Sequence, residues 1–233
     1  MKRSNLSKTL MVILTLSVAP ALCHAKTIVH TNFGSKRTFA ALGWRPAGNW
    51  NIFKYKVAKN NPGWVARYPA NPPANGTLTY KFKAVKNPKK LLLSVDVGWG
   101  WGGANMGSDS AGFQLLDSNG NGYVFVVCRT IAGWAVQWGK VANFVSPATL
   151  NWAPKPIDAT IPSILDGGGM EHLEVTRTAD GHWVFSSKDW NKGAGGKFAF
   201  TDTTTTSFSR IVLLGTTNVD DQDYNNVVLK VVK

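Results

Sequence analysis

Few side chains in this 233-residue sequence could carry acid–base chemistry. The only two glutamates, Glu171 and Glu174, stand three residues apart in a segment predicted to be a strand. Because side chains alternate along a strand, the two carboxylates should point to opposite faces. A glycoside hydrolase needs two carboxyl groups about 5–10 Å apart in one site. The spacing argues against a glutamate pair and leaves Asp96 as a carboxylate whose partner the sequence does not identify.

A polysaccharide lyase is the second enzyme class to consider, because it needs a base and a group that neutralises a carboxylate. The side chains with suitable chemistry are not linked by any motif: Asp96, Tyr123, Arg129, Gln137 and His172. The sequence contains neither a Gly-x-Ser-x-Gly motif nor a Cys/His cluster with metal-ligand spacing. A lyase, ahead of a glycoside hydrolase, is therefore an alternative to a protein without catalytic activity.

Tryptophan is the most unusual feature of the composition, with ten in the chain. Flat indole rings can stack on the C–H faces of sugar rings, although Trp also fills cores. Trp99 and Trp101 lie in a Gly-rich segment that leaves a predicted strand toward Asn105, so we expect these three residues to contact a ligand. Further candidates lie in Pro-, Gly- and Asn-rich segments: Trp44, Trp50 and Trp64. Two others share a face with Val136 and are predicted to be core: Trp134 and Trp138.

Polar residues on neighbouring predicted strands form a second candidate ligand site. Strands predicted at 91–99, 113–117, 123–130 and 134–140 could form four adjacent strands of one sheet. One face of that sheet would then carry amide, carboxylate and guanidinium groups, which suit sugar hydroxyls and uronates. The residues concerned are Asp96, Gln114, Arg129 and Gln137. An ordinary solvated sheet face is the alternative interpretation.

The spacing of apolar and turn residues predicts an all-β protein. Two alternating sets follow one another along this strand, and the more apolar set should face the core: Leu91, Leu93, Val95, Val97 and Trp99, against Leu92, Ser94, Asp96 and Gly98. Short runs of this kind recur between Gly- and Pro-rich turns, and no window has a sustained helical period. The Asp180-Gly181 step predicts a hairpin. We therefore expect a two-sheet antiparallel jelly-roll sandwich with almost no helix.

The N-terminus has the features of a secretory signal peptide. Lys2, Arg3 and Lys8 precede the apolar run from Leu10 to Ala19, and small residues lead to a cleavage site after Ala25. We therefore assign residues 1–25 to a signal peptide and residues 26–233 to a single β-sandwich domain. The sequence predicts a secreted protein, extracellular or periplasmic, without a membrane span.

Charge and cysteine content limit the partners of the mature chain. Processing removes three of the 26 Lys and Arg and none of the 13 Asp and Glu, which leaves a net charge of +10. Such a surface favours an acidic polysaccharide, and no nucleic-acid motif accompanies it. Cys128 alone survives processing, so an intramolecular disulfide is impossible, and its apolar surroundings predict a buried thiol.

Three segments resemble a known fold family. Residues 208–214 and 221–229 look like the terminal strands of concanavalin A-like, LamG-like jelly rolls, with an Asp/Asn-rich turn before a Val/Leu strand. Residues 98–103 and 119–125 are similar to segments of uncharacterised secreted bacterial proteins of this type. The resemblance implies the jelly-roll fold and a broad connection with carbohydrates, but fold alone does not establish a function.

Acidic clusters raise the question of calcium, although we expect no required cofactor. Residues 117–122 match the first half of a calcium loop, but Cys128 stands where the acidic twelfth ligand is needed, so a hairpin turn is predicted. Domains that resemble this one often hold a structural Ca²⁺ near an Asp-rich turn. The second cluster is therefore a candidate calcium site: Asp220, Asp221 and Asp223.

The sequence as a whole favours a secreted protein that binds polysaccharide through exposed Trp and a polar sheet face. A lyase or glycoside hydrolase acting on an anionic glycan is one alternative, and a structural or adhesive envelope protein is another. The glycan and the oligomeric state are not specified by the residues.

The signal peptide can be tested directly by intact-mass spectrometry of the exported protein. Because cleavage is predicted after Ala25, the mature chain should begin at Lys26 and carry no lipid. A lipid-modified N-terminal Cys23 would contradict this assignment, because lipid attachment needs a small residue where Leu22 stands.

Overall fold

The chain folds almost entirely into antiparallel strands. The computed structural model describes residues 25–34, 37–54, 63–99, 110–130, 133–144, 160–161, 170–188, 195–216 and 221–232. Within these ranges the single helical element is one 3₁₀ turn, Ala40–Leu42. No helix in the described part of the chain has the length and apolar character needed to cross a membrane. The prediction of an all-β protein is confirmed.

Two sheets make up the sandwich, and we call them sheet A and sheet B. Sheet A contains eight strands: β1 (Lys26–Thr31), β3 (Asn51–Lys54), β4 (Trp64–Tyr68), β6 (Lys90–Trp99), β11 (Met170–Thr178), β12 (His182–Lys188), β13 (Gly195–Thr201) and β15 (Gln222–Val232). Sheet B contains seven: β2 (Trp44–Ala47), β5 (Gly76–Lys86), β7 (Ser110–Leu116), β8 (Gly122–Thr130), β9 (Gly133–Val141), β10 (Thr160–Ile161) and β14 (Ser207–Gly215).

The strand order places the two chain ends together in sheet A. That sheet runs β13-β12-β11-β6-β15-β4-β3, with β1 paired to β15 further along than β4, whereas sheet B runs β10-β9-β8-β7-β14-β5-β2. Every strand pair is antiparallel, including β1 with β15. The first and last described strands are therefore neighbours.

The core lies between the sheets and is built from alternate residues of each strand. Leu91, Leu93, Val95 and Val97 of β6 are all fully buried, as their alternation predicted. Aromatic rings from both sheets fill the space between them, for example Phe113 against Phe185. Because alternation sends every second side chain inward, the remaining side chains of each strand form the two outer faces of the sandwich.

The predicted four-strand sheet is wrong in one respect. Strands β7, β8 and β9 are neighbours in sheet B, but β6 lies in sheet A between β11 and β15. The chain crosses from one sheet to the other after Trp99 instead of turning back beside β6. Asp96 and Gln114 are consequently on different sheets and cannot line one face.

Asp202 makes hydrogen bonds and an ion pair at the point where the chain passes from sheet A to sheet B. Its carboxylate accepts a hydrogen bond from the Tyr123 hydroxyl at 2.6 Å and from the Thr204 amide at 2.9 Å, and it pairs with Lys140. Burial raises the pKa of Asp202, but the hydrogen bonds from Lys140, Thr204 and Tyr123 outweigh it and hold that pKa well below its usual range. The charged form of Asp202 thus contributes to stability.

These contacts predict that Asp202→Asn lowers the unfolding free energy by an amount that depends on pH. Hydrogen bonds to a charged group are worth about 1.5–3 kcal/mol each, so we expect the variant to lose about 2 kcal/mol of unfolding free energy at neutral pH. Since the folded-state pKa is lowered, the stabilisation is complete above the unfolded pKa and is lost as the pH falls, so the difference should narrow below about pH 4. Urea unfolding of the wild type and the variant, at neutral pH and below about pH 4, measures the difference in unfolding free energy. An equal difference at the two pH values would contradict this explanation.

Candidate functional site

A carboxylate–imidazole pair lies on the outer face of sheet A. Strands β6 and β11 are neighbours, and their register places Asp96 directly opposite His172. The His172 Nδ1 atom lies 2.7 Å from Asp96 Oδ1. The two side chains are 19% and 12% exposed, respectively, so the pair is largely shielded but still reaches the surface.

The pair orients the imidazole ring of His172. A carboxylate at Nδ1 fixes the ring orientation, and it leaves Nε2 on the opposite side of the ring. Glu174, two residues along β11 on the same face, has its Oε2 atom 4.0 Å from Nε2. Two carboxylates and one imidazole therefore stand in a row, a set of groups that can bind hydroxyls or move a proton.

A buried arginine–aspartate pair lies two strands away on the same face. Asp223 of β15 is opposite Gly98 of β6 and opposite Arg67 of β4. The guanidinium donates two hydrogen bonds to the Asp223 carboxylate, at 2.7 and 2.8 Å. It also contacts Asp221 Oδ2 at 2.7 Å and lies 3.7 Å above the Phe53 ring.

Register shows that these groups form one surface, because Gly98 is two residues beyond Asp96 on β6 and faces the same side. We call this surface the sheet A patch. It comprises Arg67, Asp96, His172, Glu174, Asp221 and Asp223.

The acidic cluster predicted to bind calcium has a positively charged partner within the protein. Burial raises the pKa of Asp223 to about 6, while the hydrogen bond and charge of Arg67 act in the opposite direction. Arg67 supplies to Asp221 and Asp223 the positive charge that a cation was expected to supply. In the described ranges no group of three or more His, Cys, Asp or Glu side chains could hold a metal ion. Asp220 lies outside these ranges.

The first acidic segment is a hairpin turn, as predicted. The Asp117 carboxylate accepts hydrogen bonds from the backbone amides of Asn119 and Asn121, at 2.8 and 2.9 Å. Gly120 has a φ of 85°, a conformation that glycine adopts without strain. The turn's own amides therefore use the Asp117 oxygens.

The other predicted site residues do not join the sheet A patch. Gln114 is on the outer face of sheet B, where it is 2% exposed and its Oε1 atom has no hydrogen-bond partner. Tyr123 is a core residue whose hydroxyl is used by Asp202. Arg129 and Gln137 lie on β8 and β9 of sheet B, opposite Trp134 and Val126 in the register. Of the five catalytic candidates, only Asp96 and His172 come together.

The tryptophans divide between the core and its margin. Trp44 and Trp183 are buried in the core, so Trp44 is not the ligand contact that its sequence context suggested. Trp138 packs on the core by stacking on Phe200, with ring centroids 3.6 Å apart, as predicted. Trp64 is half-buried and Trp50 is 9% exposed. Trp99 ends β6 beside the patch, whereas Trp101 and Asn105 lie outside the described residues.

Sequence analysis missed Arg67 and treated Glu174 only as half of a glutamate pair. Arg67 lies 156 residues from Asp223, and nothing local in β4 marks it as an ion-pair partner. The alternation of Val65, Ala66 and Arg67 is that of an ordinary strand. One signal for Arg67 was available in the sequence. Asp221 and Asp223 flank Gln222, and two such close carboxylates call for a nearby positive charge, which the sequence does not identify.

The Arg67–Asp223 pair predicts a large effect for Arg67→Met. Breaking a buried ion pair leaves one charge uncompensated, so we expect a loss of about 3–5 kcal/mol in unfolding free energy at pH 7. Adding Asp223→Asn should restore part of that loss, which a double-mutant cycle by urea unfolding would measure. As a control, EDTA should leave the wild-type melting temperature unchanged. A calcium-dependent increase in that temperature together with a small Arg67→Met effect would contradict the assignment.

Comparison with known proteins identifies the fold. No protein-family model matches the sequence, and the search of curated proteins finds no match. The structure is similar to the CBM2 module of the evolved Dit protein of Lactobacillus casei BL23 phage J-1 (TM-score 0.60, 10% identity, 89% of this chain and 96% of that chain). It is also similar to carbohydrate esterase vb_24B_21 of bacteriophage phi24B (TM-score 0.59, 12% identity, 90% and 100%).

A third similar structure is the exoplasmic/lumenal domain of VIP36 in its Ca²⁺/Man2-bound form (TM-score 0.57, 12% identity, 88% of each chain). These likenesses extend over most of both chains at low identity. The chain therefore has the two-sheet, concanavalin A-like jelly-roll fold that its sequence predicted.

Proposed function

We propose that the protein is a secreted carbohydrate-binding protein whose saccharide site is the sheet A patch, together with the segment that follows β6. The observation that carries the proposal is the Asp96–His172 pair, fixed at 2.7 Å beside Glu174 on an outer sheet face. Oriented carboxylates and an imidazole can accept and donate hydrogen bonds with neighbouring sugar hydroxyls. Because the groups sit on paired strands, little ordering is required when a ligand binds.

The contrast between the two outer faces supports this location. On the outer face of sheet B, Leu116, Val212 and Leu214 form a buried apolar cluster. The outer face of sheet A also has a buried apolar pair, Val65 and Met170, but the buried carboxyl groups of Asp96 and Asp223 stand beside that pair. Burying charge is costly, and apolar residues would serve stability at least as well. A role in ligand binding would explain why sheet A keeps these buried carboxyl groups.

The segment after β6 supplies the aromatic half of the proposed site. The Gly-rich sequence that follows β6 carries Trp101 and Asn105. Sugar recognition commonly combines a flat aromatic surface with a few placed polar groups, and these two sets of residues are close in sequence. Gln114, Arg129 and Gln137 are not part of the proposal, since they lie on sheet B.

The similar structures and the charge agree with a glycan ligand. They include a carbohydrate-binding module and a Man2-bound form, although their low identity leaves the ligand of this chain open. The mature net charge of +10 would draw an acidic extracellular polysaccharide to the protein, while the four carboxyl groups of the patch itself would contact neutral units of that polymer. Export by the predicted signal peptide would bring the protein to such a polymer.

Glycan-array binding of the mature protein tests the proposal. Asp96→Asn and His172→Ala should each weaken binding to the best glycan about tenfold, equivalent to about 1.4 kcal/mol. Trp101→Ala should weaken binding by a similar factor, because it removes the indole ring proposed to stack on a sugar ring. Asp180→Asn, on the exposed β11–β12 turn, is the matched control and should bind like wild type. Wild-type affinity in correctly folded Asp96→Asn and His172→Ala variants would exclude the patch.

The same pair supports an enzyme as a second candidate function. A carboxylate that orients an imidazole is the usual arrangement behind a histidine base, and one similar structure is a carbohydrate esterase. A lyase reaction would appear as ultraviolet absorbance of an unsaturated product when the protein is incubated with uronate polymers. An esterase would release acid from acetylated glycans. Either activity should disappear in Asp96→Asn, and a protein inactive on both substrates would overturn the lyase and esterase candidates.

A further inference from the structure

A groove of about 450 Å³ lies at the open edge of sheet A, where β3 is the last strand. Its volume falls within the range of small-molecule sites. The residues that line it come from the segment after β1 and from β3 with the residue before it: Arg37, Thr38, Phe39, Trp50, Asn51 and Ile52. It thus combines an apolar wall, two neutral polar side chains and one cation.

Trp50 is held rigidly in this wall. Its ring lies 5.1 Å from the Tyr68 ring and 5.7 Å from the Tyr224 ring, both core residues. The indole is 9% exposed, and its buried Nε1 atom finds no hydrogen-bond acceptor among the described residues. Leaving a buried N–H donor without an acceptor is costly, so a ligand oxygen that reached it would recover part of that cost.

Arg37 gives the groove its charge. The residue is exposed, and no carboxylate is among the residues that line the groove. Arg37 forms no ion pair with a residue in the described ranges. A guanidinium binds a carboxylate through two parallel hydrogen bonds, a geometry that suits a uronate better than a neutral sugar.

The groove is continuous with the sheet A patch. Asn51 lines the groove and is paired in register with Arg67, which itself contacts Asp221 and Asp223. Asp223, Arg67 and Asn51 form one polar row that reaches the edge strand, and the row that contains Asp96 and His172 lies beside it. A polymer bound on the patch would reach the groove with a neighbouring sugar unit.

We infer that this groove is a subsite for one uronate unit of an acidic polysaccharide, an inference that rests on the proposed function and specifies its ligand class. Arg37 binds the uronate carboxylate, Thr38 and Asn51 bind hydroxyls, and the apolar side of the sugar lies against Phe39, Trp50 and Ile52. A ligand oxygen accepts the Trp50 N–H. The positive net charge of the mature chain draws the polymer to the surface, while Arg37 selects the unit.

Calorimetric titration of the mature protein with oligogalacturonate and with a neutral galacto-oligosaccharide of the same length tests the inference. Arg37→Gln should weaken oligogalacturonate binding about tenfold and leave neutral-sugar binding unchanged. Arg45→Gln removes the same charge from an exposed position on β2 and should change either affinity less than twofold at about 0.15 M salt. Trp50→Phe keeps an aromatic ring, smaller than the indole, but removes the N–H, and should weaken oligogalacturonate binding severalfold.

The outcomes separate this inference from the proposed function. If wild type shows no preference for the acidic oligomer, or if Arg37→Gln binds it as Arg45→Gln does, the subsite is overturned. Neutral-sugar binding that Asp96→Asn abolishes would leave the proposed function standing in that case. Arg37 is a surface residue whose replacement should not impair folding, so Arg37→Gln decides the matter even if Trp50→Phe is unstable.

Discussion

Alternation of side chains across two stacked sheets is the constraint on which the rest of this structure depends. Each strand gives every second residue to one shared core, so a residue's position in the alternation decides whether it can reach solvent. Leu93 and Val95 face inward while Ser94 and Asp96 face outward. Two strand residues can share a polar site on an outer face only if both fall on the outward set of the same sheet. Asp96 and His172 satisfy this condition, whereas Tyr123 does not.

The outward face of sheet A carries charge that stability alone does not require. A buried ion pair must recover the cost of removing two charges from water, and an apolar pair avoids that cost. Asp223 nevertheless stands fully buried against Arg67, and Asp96 is nearly buried against His172. Both pairs are pre-formed by strand register, which means that their geometry is set before any ligand arrives. Such pre-organisation is what recognition of a flexible sugar polymer requires.

Local patterns were sufficient to predict the fold but not the site. The alternation in β6, the Asp180-Gly181 turn and the lack of helical periodicity are all visible within short windows. The resemblance of residues 208–214 and 221–229 to jelly-roll strands also agreed with the observed architecture. Sheet assignment depends on crossovers, however, and the prediction that β7 follows β6 in one sheet was wrong because the connection crosses the sandwich. Asp96 and His172 were both candidates, yet their 76-residue separation concealed that they form a pair.

The central claim to test is that the saccharide site lies on the outer face of sheet A. The most direct measurement is a nitrogen–proton correlation NMR titration of the mature protein with the saccharide that binds best. The account predicts the largest shift changes at the amides of Asp96, His172 and Glu174, and small changes at Gln114 and Val212 on sheet B. Shift changes confined to the outer face of sheet B, with the amides of β6 and β11 unaffected, would contradict it.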